Sequence, residues 1–230
     1  MSSIKYCLDT NVINTHLFEI EPNHVLVTEF MNDYSNLYYT EHIGFEVDTV
    51  TNKKTRFISN FLYDCVNILD TSREEIIDYN SFISLVMSYD KTYVFKNQKV
   101  SSKIKRKILT LFWNNYNFYN VDIVHLRKSI LEYARSIRSS TLLYKEKVLR
   151  QMSLIKQYEN KDEIVIAKLR NNNVHKEDMY IILDICEFYV KKKIKLIFVS
   201  FDKSLIKSLK ICNFDFILDV WDLPKLKDMI

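Results

Sequence analysis

Four short runs constrain what this chain can fold into: residues 5–8 (KYCL), 37–40 (LYYT), 195–200 (KLIFVS) and 214–218 (FDFIL). The last two are predominantly apolar runs, as strands covered on both faces require. Helical periodicity adjoins them over residues 40 to about 51, 175 to about 192 and 203 to about 210. Strands alternating with helices predict an α/β fold whose central sheet is mostly parallel and covered on both faces. Between about 73 and 160 no comparable strand pattern is seen, and Ile130, Ala134, Ile137, Thr141, Tyr144 and Val148 keep a helical stripe. That stretch reads as a mainly helical insertion in a single domain, with the core formed from about 1–70 and 160–230.

The 230 residues include one glycine, Gly44, which excludes P-loops and dinucleotide-binding turns, since both need glycines where backbone meets phosphate. Cys7, Cys65, Cys186 and Cys212 are scattered in apolar contexts and read as reduced core residues of a cytoplasmic protein. No apolar run approaches a membrane span, so no membrane partner is expected. The net charge of +4 hides an asymmetry: residues 91–156 carry fifteen Lys/Arg against three Asp/Glu, whereas residues 1–90 carry five against fourteen. Such a basic block suits a polyanion, because each neutralised phosphate releases counterions. Its candidate RNA contacts are Lys103, Lys105, Arg106 and Lys107, extended by Arg127, Lys128, Arg135 and Arg138. Trp113, Tyr116, Phe118 and Tyr119 could stack unpaired bases, though ordinary packing is the commoner use of such rings.

Four acids stand out by position. Asp9 ends the first strand, and the carboxyl ends of strands are where open α/β sheets bind ligands. Asp202 follows the 195–200 strand in the same way, although an aspartate there also caps the next helix, and taken alone the cap explains it best. Asp178 shares a helical face with Ile181, Ile182, Ile185 and Tyr189, whereas Glu177 aligns with Tyr180, Asp184, Glu187 and Lys191 on a face expected to meet solvent. Glu46 flanks the Ile43, Val47 and Val50 face, while Glu41 and Asp48 point away from it. Four inward acids repel one another, and the usual compensation is a hard divalent cation, Mg²⁺ or Mn²⁺, one or two ions. Zinc is disfavoured because His16, His24, His42, His125 and His175 show no ligand spacing and the cysteines no pairing. A carboxylate-only metal site in a chain with a basic block points to phosphodiester hydrolysis by metal-activated water.

This pattern resembles the PIN-domain nucleases. The matching pieces are the opening strand with Asp9, Thr10 and Asn11, the YYTEHIGFE segment ending in Glu46, the KEDMYIIL helix start with Asp178, and VSFD with Ser200 and Asp202. The resemblance covers residues 1 to about 60 and about 160 to 230. It implies a three-layer α/β/α fold and an endoribonuclease dependent on Mg²⁺ or Mn²⁺, acting on single-stranded or structured RNA. It further implies Asp9, Glu46, Asp178 and Asp202 as the catalytic metal ligands, with Asn11 and Ser200 supporting them by hydrogen bonds. Homodimers are frequent in the family, and an antitoxin or other protein inhibitor is a further partner class. The long segment between Glu46 and Asp178 departs from the compact toxins of the family. The alternative is a catalytically silent PIN-like module that binds RNA or protein. A haloacid-dehalogenase-type phosphatase is disfavoured, since Asn11 stands where that chemistry needs a second aspartate.

Overall fold

The computed structural model describes residues 4–72, 76, 78–89, 94–95, 98–116, 122–158 and 162–223. In chain order the elements among them are β1 (Tyr6–Leu8), α1 (Thr10–Leu17), α2 (His24–Asp33), β2 (Leu37–Thr40), α3 (Glu41–Thr71), α4 (Tyr79–Ser88), β3 (Val94–Phe95), β4 (Gln98–Lys99), α5 (Ser102–Tyr116), α6 (Ile123–Arg150), β5 (Ser153–Ile155), α7 (Glu163–Asn171), α8 (Lys176–Lys192), β6 (Ile197–Ser200), α9 (Lys203–Ile211) and β7 (Ile217–Asp219), followed by a 3₁₀ turn, Val220–Asp222. They form two compact units, one of residues 1–50 and 145–230, the other of residues 51–144.

The first unit holds a five-stranded, all-parallel sheet in the order β5-β2-β1-β6-β7. At its centre Cys7 pairs with both Tyr38 and Phe198, and all three residues of β1 are fully buried. A strand enclosed on both faces has no solvent side, which is why Tyr-Cys-Leu shows no polar alternation. The chain steps from β1 outward to β2 and β5, then returns across the sheet to β6 and β7. Right-handed crossovers place the helices before and after such a reversal on opposite faces, compatible with a three-layer α/β/α arrangement. Helix α8 packs on β2 and β5, α9 on β7, and α1 on β6. The winding reverses between β1 and β6, and the crevice at their carboxyl ends is the switch point where such sheets hold ligands.

The second unit is helical apart from the β3–β4 hairpin. Phe61, Leu62, Cys65 and Leu69 of α3, Phe82 of α4, Leu109 and Phe112 of α5, and Ile130 and Ala134 of α6 are buried. Ser59 Oγ of α3 donates to the Ala134 carbonyl of α6 at 2.8 Å. Trp113 stacks on Phe82 at 5.6 Å between centroids, and Tyr116 lies against Phe112 at 5.2 Å, so these two rings serve packing. Phe118 and Tyr119 lie outside the described residues.

The structure corrects the boundaries read from sequence. Residues 73–160 are not strand-free: β5 adds an edge strand to the parallel sheet, and β3 and β4 form a hairpin. Ser153 and Leu154 are exposed, so β5 lacks the apolar run that marks a doubly covered strand. Helix α3 does not end near Thr51 but runs to Thr71, and both unit boundaries, 50/51 and 144/145, fall inside helices. Among the described residues no helix is long and apolar enough to cross a membrane.

Candidate metal centre at the sheet switch point

The strand ends and the helices that follow them bring the four acids of the sequence reading to one edge. Asp9 closes β1 and caps α1; its Oδ1 accepts from the Thr10 N–H at 2.7 Å. Its Oδ2 accepts from Asn11 Nδ2 at 2.6 Å and from Ser200 Oγ at 2.5 Å. Ser200, fully buried at the end of β6, also accepts from Asn11 Nδ2 at 3.1 Å and from the Asp202 N–H at 3.0 Å. Asn11 returns a bond, its Oδ1 accepting from the Phe201 N–H at 3.1 Å. Asn11 and Ser200 therefore lock the β1 and β6 ends together across the reversal, and the buried Asp9 carboxylate is their common acceptor.

Glu46 joins from α3, where its Oε2 accepts from Thr10 Oγ1 at 2.8 Å. It is exposed rather than inward-facing, because it sits at the margin of the buried arc formed by Ile43, Val47 and Val50. The choice among neighbouring acids nevertheless has a structural counterpart: Asp48 pairs with Lys145, and Glu41 accepts from the Gln157 N–H. The sole glycine allows the close approach of this helix to β2, since a Cβ on Gly44 would meet Tyr39 Cε2 at 3.3 Å. Asp178 lies half-buried in the first turn of α8. Asp202 is exposed and caps α9: its Oδ1 accepts from the Ser204 N–H, the Ser204 hydroxyl and the Leu205 N–H at 2.8–3.0 Å. The cap and a role in the cluster coexist, because these bonds use one carboxylate oxygen.

Electrostatics couple the four. Burial pushes the Asp9 carboxyl up to about 7, against the Ser200 and Thr10 bonds that favour its charge, with Glu46 and Asp178 adding repulsion. Burial likewise raises Asp178 to about 6, helped by the negative charges of Asp202 and Glu46. Asp202 goes the other way: partial burial disfavours its charge, but the Leu205 and Ser204 bonds outweigh that. Adjacent carboxylates that resist ionising together are what a bound cation relieves, so the donor chemistry fits a hard divalent ion. Among the described residues no group of three or more His, Cys, Asp or Glu stands close enough to enclose an ion.

Cap and charge separate by substitution at position 202. Asparagine caps a helix about as well as aspartate, whereas alanine loses about 1 kcal/mol. Asp202→Asn is therefore expected to keep the parent's denaturation midpoint and Asp202→Ala to lower it. Chemical unfolding of the two variants checks this.

The remaining expected site residues divide. Lys103, Arg106, Arg135 and Arg138 are exposed in the second unit, and Lys105 and Lys107 are half-buried there. Arg127 pairs with Asp70, and Lys128 lies 4.0 Å from Glu132, so these two are partly neutralised. The α8 faces need correction: Asp184, placed on the solvent side, is 2% exposed, and Tyr189, placed on the buried stripe, is 52% exposed. The helix meets β2, β5 and α7, which widens its buried arc to Ile181–Ile185, and Tyr189 stands a turn beyond it.

Two residues had not been assigned a role from the sequence. Thr10, 4% exposed, links Asp9 to Glu46, and its place inside DTN was the available signal. His175 precedes α8 and favours the charged forms of both Asp178 and Asp202; spacing three residues before Asp178 was the signal there. No family model matches the chain, and no curated protein and no solved structure is similar enough to it to count as a match.

Proposed function

We propose that the chain is a PIN-like endoribonuclease that cleaves RNA phosphodiester bonds with one or two Mg²⁺ or Mn²⁺ ions, on a three-layer α/β/α core. The observation that carries this reading is the gathering of Asp9, Glu46, Asp178 and Asp202 at the sheet switch point, with Glu46 and Asp178 acting on Asp9 and with Glu46 and Asp202 acting on Asp178. A bound divalent ion supplies an activated water and neutralises charge on the leaving oxygen. Asp9, Glu46, Asp178 and Asp202 would hold it. Ser200 and Asn11 orient Asp9 and keep it ionisable despite burial, and Thr10 fixes Glu46. The exposed cations Lys103, Arg106, Arg135 and Arg138 are the proposed RNA contacts of the second unit.

The test is cleavage of end-labelled RNA with and without Mn²⁺. The parent is expected to cut only with metal, and Asp9→Asn to cut at least about a hundredfold more slowly, a loss on the scale of removing one preorganised stabilising group. Undiminished cleavage by Asp9→Asn, with metal required by the parent, overturns the site assignment. The second reading is a silent RNA- or protein-binding module with the same fold. Absence of metal-dependent cleavage in the parent decides for that reading.

A further inference from the structure

At the amino edge of the parallel sheet, the edge opposite the acid cluster, two cavities that the hydrolytic reading does not use share a wall. Lys5 precedes β1, Lys195 precedes β6 and Phe216 precedes β7. Backbone bonds join these approaches: the Ile197 N–H donates to the Lys5 carbonyl at 2.9 Å and the Phe198 N–H to the Phe216 carbonyl at 2.7 Å. The first cavity, about 400 Å³, is lined by Tyr189, Phe214 and Phe216, with Asp162 and Asn213 among its polar residues. Phe214 and Phe216 lie 5.3 Å apart between centroids, and Tyr189 is half-exposed. The second cavity, about 470 Å³, has Lys5, Lys193 and Lys195 in its lining, against the one carboxylate of Asp215. Both cavities are bounded by the Lys195–Asp215 ion pair, Nζ to Oδ2 at 3.0 Å. A cation at a helix end is ordinary, so Lys193 at the end of α8 complements that helix's dipole. Lys5 leads into a strand and has no helix end to complement, and the lining as a whole carries an excess of positive charge that suits an anion.

We propose that the two cavities form one binding site for a nucleoside diphosphate, with the base against the aromatic lining and the phosphates on Lys5 and Lys193. A small-molecule site needs a mostly apolar cavity of this size with a few polar groups that fix orientation. Aromatic faces suit a planar base, and lysines suit phosphate oxygens. Asp162 spends one carboxylate oxygen, Oδ1, on capping α7, so the cap and a contact to the base coexist. An acyl carboxylate is the other anion with an apolar body, but it gains nothing from stacking faces and its single charge does not call for three lysines. The grip is made by side chains, so a chain without glycine-rich phosphate turns can still make it. The site lies on the edge away from Asp9 and stands whether or not the acid cluster cleaves RNA.

Calorimetric titration of the full chain in EDTA tests this, because without a divalent ion the carboxylates at the other edge repel phosphate. The probes are the diphosphates of adenosine, guanosine, cytidine and uridine, inorganic pyrophosphate, and decanoate. At least one nucleoside diphosphate is expected to bind with a Kd below about 1 mM. The Lys5→Gln/Lys193→Gln double variant is expected to weaken that binding at least about tenfold, and to weaken pyrophosphate as well. Tyr189→Ala is expected to weaken the nucleotide at least about fivefold and to leave pyrophosphate unchanged, and Tyr189→Phe to restore the nucleotide. No binding of any of the four diphosphates, or nucleotide binding indifferent to the lysine variant or to Tyr189→Ala, overturns the proposal. Decanoate bound more tightly than every nucleotide overturns it in favour of an acyl carboxylate.

Discussion

At pH 8 without divalent ions, the Asp178→Asn protein is expected to unfold about 2–6 °C above the parent. Burial and the charges of Asp202 and Glu46 hold the Asp178 carboxyl at about 6 in the folded chain, above its unfolded value of 3.8. Between pH 4 and 6 the folded state binds the extra proton, so stability contributed by this group is fully present below about 4 and lost as pH rises through 6. At pH 8 the loss is complete and amounts to about 1–2 kcal/mol after discounting for the solvent-screened side of the residue. Asparagine carries no charge to repel and breaks no hydrogen bond shown for Asp178. Melting curves at pH 4 and pH 8 measure the effect: the gain should vanish at pH 4. Added Mn²⁺ should reverse the order at pH 8, because an ion that binds only the folded parent stabilises it by mass action. Identical melting at pH 8 would mean that neither burial nor the neighbouring acids disfavour the Asp178 charge.

Ser200→Ala is expected to destabilise the chain by about 2–3 kcal/mol, measured by chemical denaturation. The hydroxyl is fully buried, donates to Asp9 and accepts from Asn11 and the Asp202 N–H. Its removal leaves a buried carboxylate one donor short and two N–H groups one acceptor short, each with its desolvation uncompensated. The Ser200 bond also lowers the Asp9 carboxyl, so its loss makes the proposed first ligand harder to ionise. Ser200→Thr, which keeps the hydroxyl, should recover most of the stability. A loss below about 0.5 kcal/mol for the alanine variant would remove Ser200 from its place at the hub.

What the sequence made legible followed from how strongly each element's surroundings mark its residues. Strands β1, β2, β6 and β7 lie near the expected runs because apolar stretches or a sharp polar stop betray them, and His175 proves to be the cap of α8 rather than its first residue. Strand β5 was hidden because an edge strand with two exposed residues needs no apolar run. Helix α3 was cut short at Thr51 for a different reason. Thr51 and Thr55 are fully buried polar residues that interrupt the apolar period, the Thr55 hydroxyl being satisfied by the Thr51 carbonyl at 3.0 Å, and the stripe resumes at Ile58, Phe61 and Leu62. Helix periodicity put Glu46 at the margin of a buried arc, where it is exposed rather than inward, and it misplaced Asp184 because α8 is covered on more than one side. Asn11 and Ser200 were named as supports by the resemblance alone; which atoms they bond came from the fold, since Ser200 reaches Asn11 and Asp9 across 189 and 191 positions.

The central claim is that Asp9 and its partners hold a divalent ion, and a titration of Mn²⁺ followed by the electron-spin resonance of the free ion tests it most directly. At pH 6.5, where Asp9 and Asp178 are still partly protonated, the parent is expected to bind one or two ions per chain with release of protons, and Asp9→Asn to bind at least tenfold more weakly. Binding of equal strength by parent and variant, or no binding by the parent at millimolar Mn²⁺, would contradict the account.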